Sequence, residues 1–541
     1  MRSGRTVSAS GAPGAASAQQ RFAEAVAAVN AGDWARAQHL AMHLLREIPA
    51  HPDINFIAGL AALYLEQPTL AAACLERAVR LAPERPDWLA QYARALVQDS
   101  RHDAAREAAD RAIGLAPADA IVLDTLGVVY THLGEYERAA ALFDRVIALE
   151  PERASYRFNH ATSLVFAGRI EEAEAELEAC LALEPRYWKA HLTLSQQRRQ
   201  TEDRNHVERL RQALAEADGP HARMYVALAL GKELEDLERY PEAFECLAQG
   251  KAAGRSPGYR FERDAALFDA VEQAFTAAAP AEGCSNDAPI FVFGMPRTGT
   301  TLIERILSSH AEVRSAGELL DFPRVFRRAS ASREPALLSP DVFRRGSRDW
   351  RALGEAYVAA TSRQGRGQAR FTDKLPHNFL YAGYIANALP EARLVCVRRD
   401  PVDTCLSNFR QLLSPDSPFY DYSFDLLDIG RYYLRFDRLM AFWRQALPGR
   451  ILEVGYEALV ADQEAETRRL LDFCGLGWDP ACLEFQHNSA RVTTASAVQV
   501  RAPLYGTSVQ RWKRYAPQLG ALLALLEAGG AIAPGGDVGR G

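Results

Sequence analysis

Five prolines, Pro49, Pro83, Pro117, Pro151 and Pro185, stand 34 residues apart in unbroken succession. A fixed period of that length marks a stacked array, in which each unit is one supersecondary element that cannot bury its apolar face alone. The residues between the prolines identify the element. Counting back from Pro151, Leu126, Gly127, Tyr130, Ala139 and Phe143 set small side chains against large ones. Ala37, Ala71, Ala105 and Ala173 recur in the same phase as Ala139, and Gly59 precedes Gly127 by two periods. These are positions where a second helix presses closely on a first, so each period reads as helix–turn–helix. The pattern weakens through Arg198-Arg199-Gln200-Thr201 and returns in Gly231 and Ala243, with Tyr240-Pro241-Glu242-Ala243-Phe244 at the joint. About seven units are expected, the sixth degenerate, ending near residue 253.

Residues 17–253 resemble the tetratricopeptide-repeat family over their whole length. The resemblance implies a helical solenoid whose concave face binds a peptide or protein, as a partner or as the substrate itself. A purely structural spacer is the other reading. Residues 1–16, rich in Ser, Gly and Ala, are expected to be disordered, as is the glycine-rich tail 529–541. Residues 254–287 read as a helical linker, with a helix near 260–278 followed by Ala-Ala-Ala-Pro-Ala-Glu-Gly.

Composition bounds what such a chain does. Its 541 residues allow more than one domain, and 48% hydrophobic content is globular. A net charge of −6 gives no global attraction to nucleic acid or to an anionic membrane, so any anion site must be local. No 18-residue apolar run or signal-like leader is present, and no membrane association is expected. Eight scattered cysteines without a C-x-x-C pair read as buried thiols of a reducing compartment, and the chain is expected to be cytoplasmic.

From residue 288 the pattern changes to alternating strands and helices, the α/β signature. Pro289-Ile290-Phe291-Val292-Phe293 reads as a buried parallel strand. Gly294-Met295-Pro296-Arg297-Thr298-Gly299 forms a turn, and Leu302, Ile303, Ile306 and Leu307 follow at helical spacing. Strand, glycine turn and helix make an anion cradle, with backbone N–H groups and the helix N-terminus aimed at the ligand. The spacing matches G-x-x-x-x-G, but Thr300 stands where a nucleoside-triphosphatase carries Lys. The cradled group is therefore expected to differ from a triphosphate, with Arg297 supplying charge and Thr300 and Thr301 hydroxyls. Further strands are expected at 392–397 and 450–454, both ending in polar residues. After the first of these, Arg399 and Ser407 lie eight residues apart across a strand end and the following helix. A guanidinium fork plus a hydroxyl can receive a second phosphate. An Arg–Asp pair capping that helix is the alternative.

Together the two anion sites resemble the sulfotransferase family over about 288–528. The resemblance implies a P-loop-like α/β domain that uses 3′-phosphoadenosine 5′-phosphosulfate (PAPS) as co-substrate. Pro296, Arg297, Thr298, Gly299, Thr300 and Thr301 resemble the segment that holds the 5′-phosphosulfate, and Arg399 with Ser407 the pair that holds the 3′-phosphate. Arginine in the loop is closer to the tyrosylprotein sulfotransferase branch. The resemblance further implies a catalytic Lys374, within Phe371-Thr372-Asp373-Lys374-Leu375-Pro376, and a catalytic base at Glu318. Ser496 and Arg511 resemble late donor contacts, with Tyr505 and Lys513 behind them.

The chemistry is consistent with these roles. Sulfuryl transfer passes an electrophile between two oxygens in line, so the protein chiefly positions groups and stabilises charge. Glu318 would take the acceptor proton, while Arg297 and Lys374 neutralise developing charge, and no metal is demanded. The acceptor implied is a hydroxyl, with a protein or peptide tyrosine first and a carbohydrate or small-molecule hydroxyl as the alternative. A scaffold with an inactive nucleotide-binding domain is the rival of another class. His310 and His377 are expected to be packed, with His377 a secondary candidate base, and 419–424 to line an acceptor cleft or the core.

Overall fold

A computed structural model describes residues 18–99, 101–277, 282–334, 336–346, 349–362, 370–415, 417–488, 500, 504 and 506–533. Ser496, Tyr505, residues 1–16 and the end of the 529–541 tail lie outside the described residues. The chain divides into two compact units, Met1–Glu152 and Arg153–Gly541.

The first unit is four helix pairs. Ala18–Asn30 packs with Trp34–Glu47, Pro52–Tyr64 with Pro68–Leu81, Pro86–Gln98 with His102–Gly114, and Ala120–Leu133 with Tyr136–Leu149. The periodic prolines fall in the turns between pairs. Ala37, Ala71, Ala105 and Ala139 are fully buried. The glycines are required by close approach: a Cβ at Gly59 would lie 2.6 Å from Leu75 Cγ, and one at Gly127 2.8 Å from the Phe143 ring.

The second unit begins with three more repeats. Ala154–Ala167 packs with Ile170–Leu183 and Gly219–Asp236 with Tyr240–Gly254, while Trp188–Ser195 and Val207–Glu216, successive in the chain, both pack on Gly219–Asp236. The middle repeat is the degenerate one. Its first helix has eight residues, and the chain then runs irregularly to His206. That stretch is held by polar bonds instead of helix packing: Gln200 N–H donates to Asp236 at 2.8 Å, and His206 N–H to Glu233 at 2.6 Å.

Next come helix Phe261–Ala274 and a five-stranded sheet: β1 Pro289–Phe293, β2 Val313–Ser315, β3 Arg370–Asp373, β4 Arg393–Arg398 and β5 Ile451–Gly455. The order is β2-β3-β1-β4-β5, and every neighbouring pair is parallel. Three strands carried an apolar signal in the sequence. β2 and β3 did not, because they are short, only partly buried, and carry Arg314 and Arg370.

Alternation along β1 builds two cores. Ile290 and Val292 join Leu302, Ile303, Val395 and Val454 on one face. Phe291 and Phe293 face the other side, where one continuous cluster includes Phe379 and Trp443 together with Leu192, Leu228, Leu247 and Phe268. The last repeat helices and the 254–287 segment thus share a core with the sheet. The connections from β1 and from β4 leave in opposite directions, which opens a crevice at the carboxyl ends of those two strands.

Candidate active site

The loop after β1 lies in that crevice. Gly294, at φ +151°, sits where a Cβ would be 2.4 Å from the Val397 carbonyl oxygen. Gly299, at φ +110°, caps the nine-residue helix Thr300–Ser308. Arg297 adopts the left-handed conformation at φ +68°, which is uncommon for a residue with a side chain and clusters at ligand sites. The helix has no acidic residue in its first turn, so its positive end is left for an anion. Thr298 differs from its neighbours in facing the loop: its hydroxyl donates to the Met295 carbonyl at 2.8 Å, and it is buried.

Arg399 follows β4. Its guanidinium donates to the carbonyl of Arg297 at 3.1 Å and of Ser508 at 2.5 Å, and it stands 4.9 Å from the centre of the Tyr456 ring. Capping the following helix, Pro401–Arg410, falls to Asp400, whose carboxylate accepts from Asp403 N–H at 2.8 Å. Arg399 also pairs with Asp403 at 3.8 Å. Ser407 lies two turns along that helix. The next residue, Asn408, donates to the Pro296 carbonyl at 2.7 Å, tying this helix to the β1 loop.

Lys374 leaves the end of β3, and Glu318 the end of β2. Their side chains meet at 2.5 Å, with Lys374 buried and Glu318 34% exposed. Lys374 does not pair with its neighbour Asp373, which points the other way and accepts from Tyr357 Oη at 2.9 Å and Asn378 at 3.2 Å. Burial pushes the Asp373 carboxyl well above the usual carboxylate range. Beneath the Lys374–Glu318 pair lies Glu304, which accepts from Ser315 Oγ at 2.8 Å. Burial raises the Glu304 pKa, and the Lys374 charge opposes the rise.

The β1 loop, the Arg399–Ser407 pair and the Lys374–Glu318 pair open on one cavity of about 410 Å³, within the ~300–1,000 Å³ usual for ligand sites. Pro296, Arg297, Gly299, Thr300, Thr301, Glu318, Lys374, Arg399, Ser407 and Arg511 line it. Thr298 does not, and Ser496 lies outside the described residues. His377 is away from the lining: it is fully buried against Phe379, Phe419 and Tyr420, and burial lowers its pKa to about 4. His310 is packed, with Nε2 3.1 Å from the Gly477 carbonyl. Lys513 bonds Gln510 on the surface at 2.8 Å. Segment 419–424 divides its residues: Tyr420 lines the cavity, and Tyr422 and Phe424 are core.

Several lining groups were not singled out in the sequence. Arg410 was legible in principle, three residues after Ser407 and so on the same helix face. Tyr456 and Leu412–Leu413 belong to segments with ordinary core composition, whereas Tyr420 falls in the 419–424 segment expected to line a cleft or the core. Leu192 and Gln196 come from the degenerate repeat, where no motif marks them.

Fold and site define an α/β domain with two candidate anion cradles on one cavity, preceded in the chain by helical repeats. Residues 289–480 match the Sulfotransferase family, and residues 56–120 and 121–153 match Tetratricopeptide repeat models. The chain therefore combines tetratricopeptide repeats with a sulfotransferase-family domain. An uncharacterized protein of Aquifex aeolicus is 31% identical over 57% of this chain and 42% of its own. Protein-tyrosine sulfotransferase A of Caenorhabditis elegans is 25% identical over 44% of this chain and 64% of its own. Protein-tyrosine sulfotransferase 1 of Danio rerio is 26% identical over 37% and 57%. The chain thus spans less than two thirds of the length of each of these three relatives. A tetratricopeptide-repeat protein of Thermus thermophilus aligns with 34% of this chain and 98% of its own, at 21% identity and a TM-score of 0.30.

Proposed function

We propose that the protein is a sulfotransferase that moves a sulfuryl group from PAPS to an acceptor hydroxyl, with a polypeptide tyrosine as the acceptor. The observation that carries this reading is the single cavity shared by the β1 loop, the Arg399–Ser407 site and the Glu318–Lys374 pair. A donor with phosphate at both ends of an adenosine needs two cationic sites within reach of one molecule. Thr300 in place of the triphosphatase lysine supports that donor over ATP.

The residues present suit such a group. The Thr300–Ser308 helix end, Arg297 and the threonine hydroxyls would hold the 5′ side, and Arg399 with Ser407 the 3′-phosphate. The donor supplies an activated sulfuryl group. Glu318 takes the proton as the acceptor oxygen bonds to sulfur. Lys374 would offer positive charge where the S–O bond of the phosphosulfate anhydride breaks and 3′-phosphoadenosine 5′-phosphate leaves with the bridging oxygen. Leu192, Leu412, Leu413, Pro415 and Tyr420 give part of the remaining wall an apolar and aromatic character, beside Gln196, Gln411 and Ser414, and that part suits a phenol ring.

Titration calorimetry with 3′-phosphoadenosine 5′-phosphate (PAP) against ATP–Mg²⁺ tests the donor; preference for ATP would end this reading. Transfer assays with a tyrosine peptide and an oligosaccharide test the acceptor, and faster transfer to the sugar would reverse the assignment. The repeats are read as selecting a polypeptide, so kcat/KM should rise from a short peptide to a long chain; equal values oppose that role. A cytoplasmic setting accords with eight free thiols. Thiol titration of freshly isolated protein should count all eight, and a lower count opposes it.

A further inference from the structure

Helix Gly219–Asp236 belongs to the last repeat, yet its Glu235 is buried among groups of the catalytic cavity. A carboxylate in the last turn of a helix faces the negative end of the dipole, and this helix has no basic residue in that turn. Glu235 is also only 2% exposed. Such a placement is costly unless cations from elsewhere compensate. Two do. Arg410 Nε donates to Glu235 Oε2 at 2.6 Å, and Arg511 binds Oε1 through Nε at 2.9 Å and Nη2 at 2.6 Å. Burial alone would push the Glu235 carboxyl up, and the two guanidiniums more than reverse this, leaving it below the usual range.

Both arginines line the cavity that Arg399 and Ser407 also line. Arg410 is three residues beyond Ser407 on one helix face. Arg511 is three residues beyond Ser508, whose carbonyl accepts from Arg399. The next residue, Trp512, donates its N–H to Asp403 at 2.9 Å, and Asp403 in turn pairs with Arg399. Three guanidiniums therefore gather against two carboxylates, which leaves positive charge for an incoming phosphate. Glu235 touches the two that Asp403 does not hold directly.

We propose that Glu235, carried by a repeat helix, is a positioning residue for the 3′-phosphate of the donor: it fixes the forks of Arg410 and Arg511 at the cavity wall beside Arg399 and Ser407. The proposal rests on the PAPS reading above. It makes the last repeat part of the donor site as well as a neighbour of it. Fixed donors lose less freedom when they bind, and a planar fork recognises phosphate only in the right orientation.

The test compares PAP with 5′-AMP, which lacks the 3′-phosphate, by calorimetry on the full chain. In Glu235→Gln the affinity for PAP should fall about tenfold, while that for 5′-AMP stays within about twofold. Simple electrostatics predicts the reverse, because removing a negative charge near a phosphate tightens binding. Unchanged or tighter PAP binding would therefore overturn the proposal, and so would equal losses for both ligands, the mark of a merely structural role. Should Glu235→Gln not fold, Glu235→Asp keeps the buried charge but withdraws it by one methylene; a smaller loss, confined to PAP, is expected, and no loss overturns the proposal. Wild-type protein that fails to prefer PAP over 5′-AMP would instead defeat the donor reading itself.

Discussion

Asn408 donates to the Pro296 carbonyl at 2.7 Å, so the helix carrying Ser407 also holds the loop carrying Arg297. The same amide donates to the Thr404 carbonyl at 2.9 Å, and its oxygen accepts from Tyr422 Oη at 3.3 Å. Asn408 is fully buried. Asn408→Ala leaves the Pro296 carbonyl without this donor and should cost roughly 1–3 kcal/mol of stability. Because both anion sites loosen, PAP and 5′-AMP should weaken together. A melting curve and the two titrations check this; selective loss of PAP alone contradicts it.

Arg399→Ala should behave differently. The guanidinium braces the loop through the Arg297 carbonyl, and under the proposed donor reading its charge serves the 3′ side. PAP affinity is expected to fall by about tenfold or more, as for loss of a charge-assisted bond, with 5′-AMP little changed. Equal losses for the two ligands would show that bracing is its main role.

Glu318→Gln keeps the size of the side chain and a contact to Lys374 while removing the proposed base. Sulfuryl transfer to a tyrosine peptide should slow by about 10²–10⁴-fold, with PAP affinity intact. Turnover at the wild-type rate would remove Glu318 from the chemistry.

His206 gives the degenerate repeat a pH dependence. Its ring lies 3.2 Å from Glu178 and 2.7 Å from Glu233. Hydrogen bonds to Glu178 and then Glu233 raise its pKa from 6.5 to about 8, against burial and, to a smaller extent, the charge of Arg209. A raised histidine stabilises the fold fully below the unfolded value and loses that contribution as pH climbs through the folded one. The stabilisation is on the order of 2 kcal/mol. It should be present near about pH 6 and gone by about pH 9. Denaturant melts of wild type and His206→Gln should differ at the lower pH and converge at the higher; a constant gap would mean the ring acts through packing alone.

Much of the fold was legible because it obeys local rules. The proline period, the alanines at positions 37, 71, 105 and 139, and Gly59 and Gly127 report helix contact within one repeat. The β1 loop was legible for the same reason, since strand, turn and helix are contiguous in the chain. Resemblance pointed to Glu318 and Lys374 singly, and only the sheet order showed that they meet. The expected split of residues 419–424 between cleft and core was resolved residue by residue, with Tyr420 alone of the three tyrosine and phenylalanine rings at 420, 422 and 424 on the cavity.

Periodicity and motif spacing by themselves determined a repeat array and an α/β domain and pointed to two candidate anion cradles, because each is written in neighbours a few residues apart. The tertiary structure decided that the cradles face one cavity, that Lys374 answers Glu318 and not Asp373, and that Glu235 reaches Arg410 and Arg511 across some 175 and 276 positions of chain. No local pattern encodes such pairings. They arise only when a shared apolar core brings the last repeat helices against the sheet and leaves buried charges to find their partners.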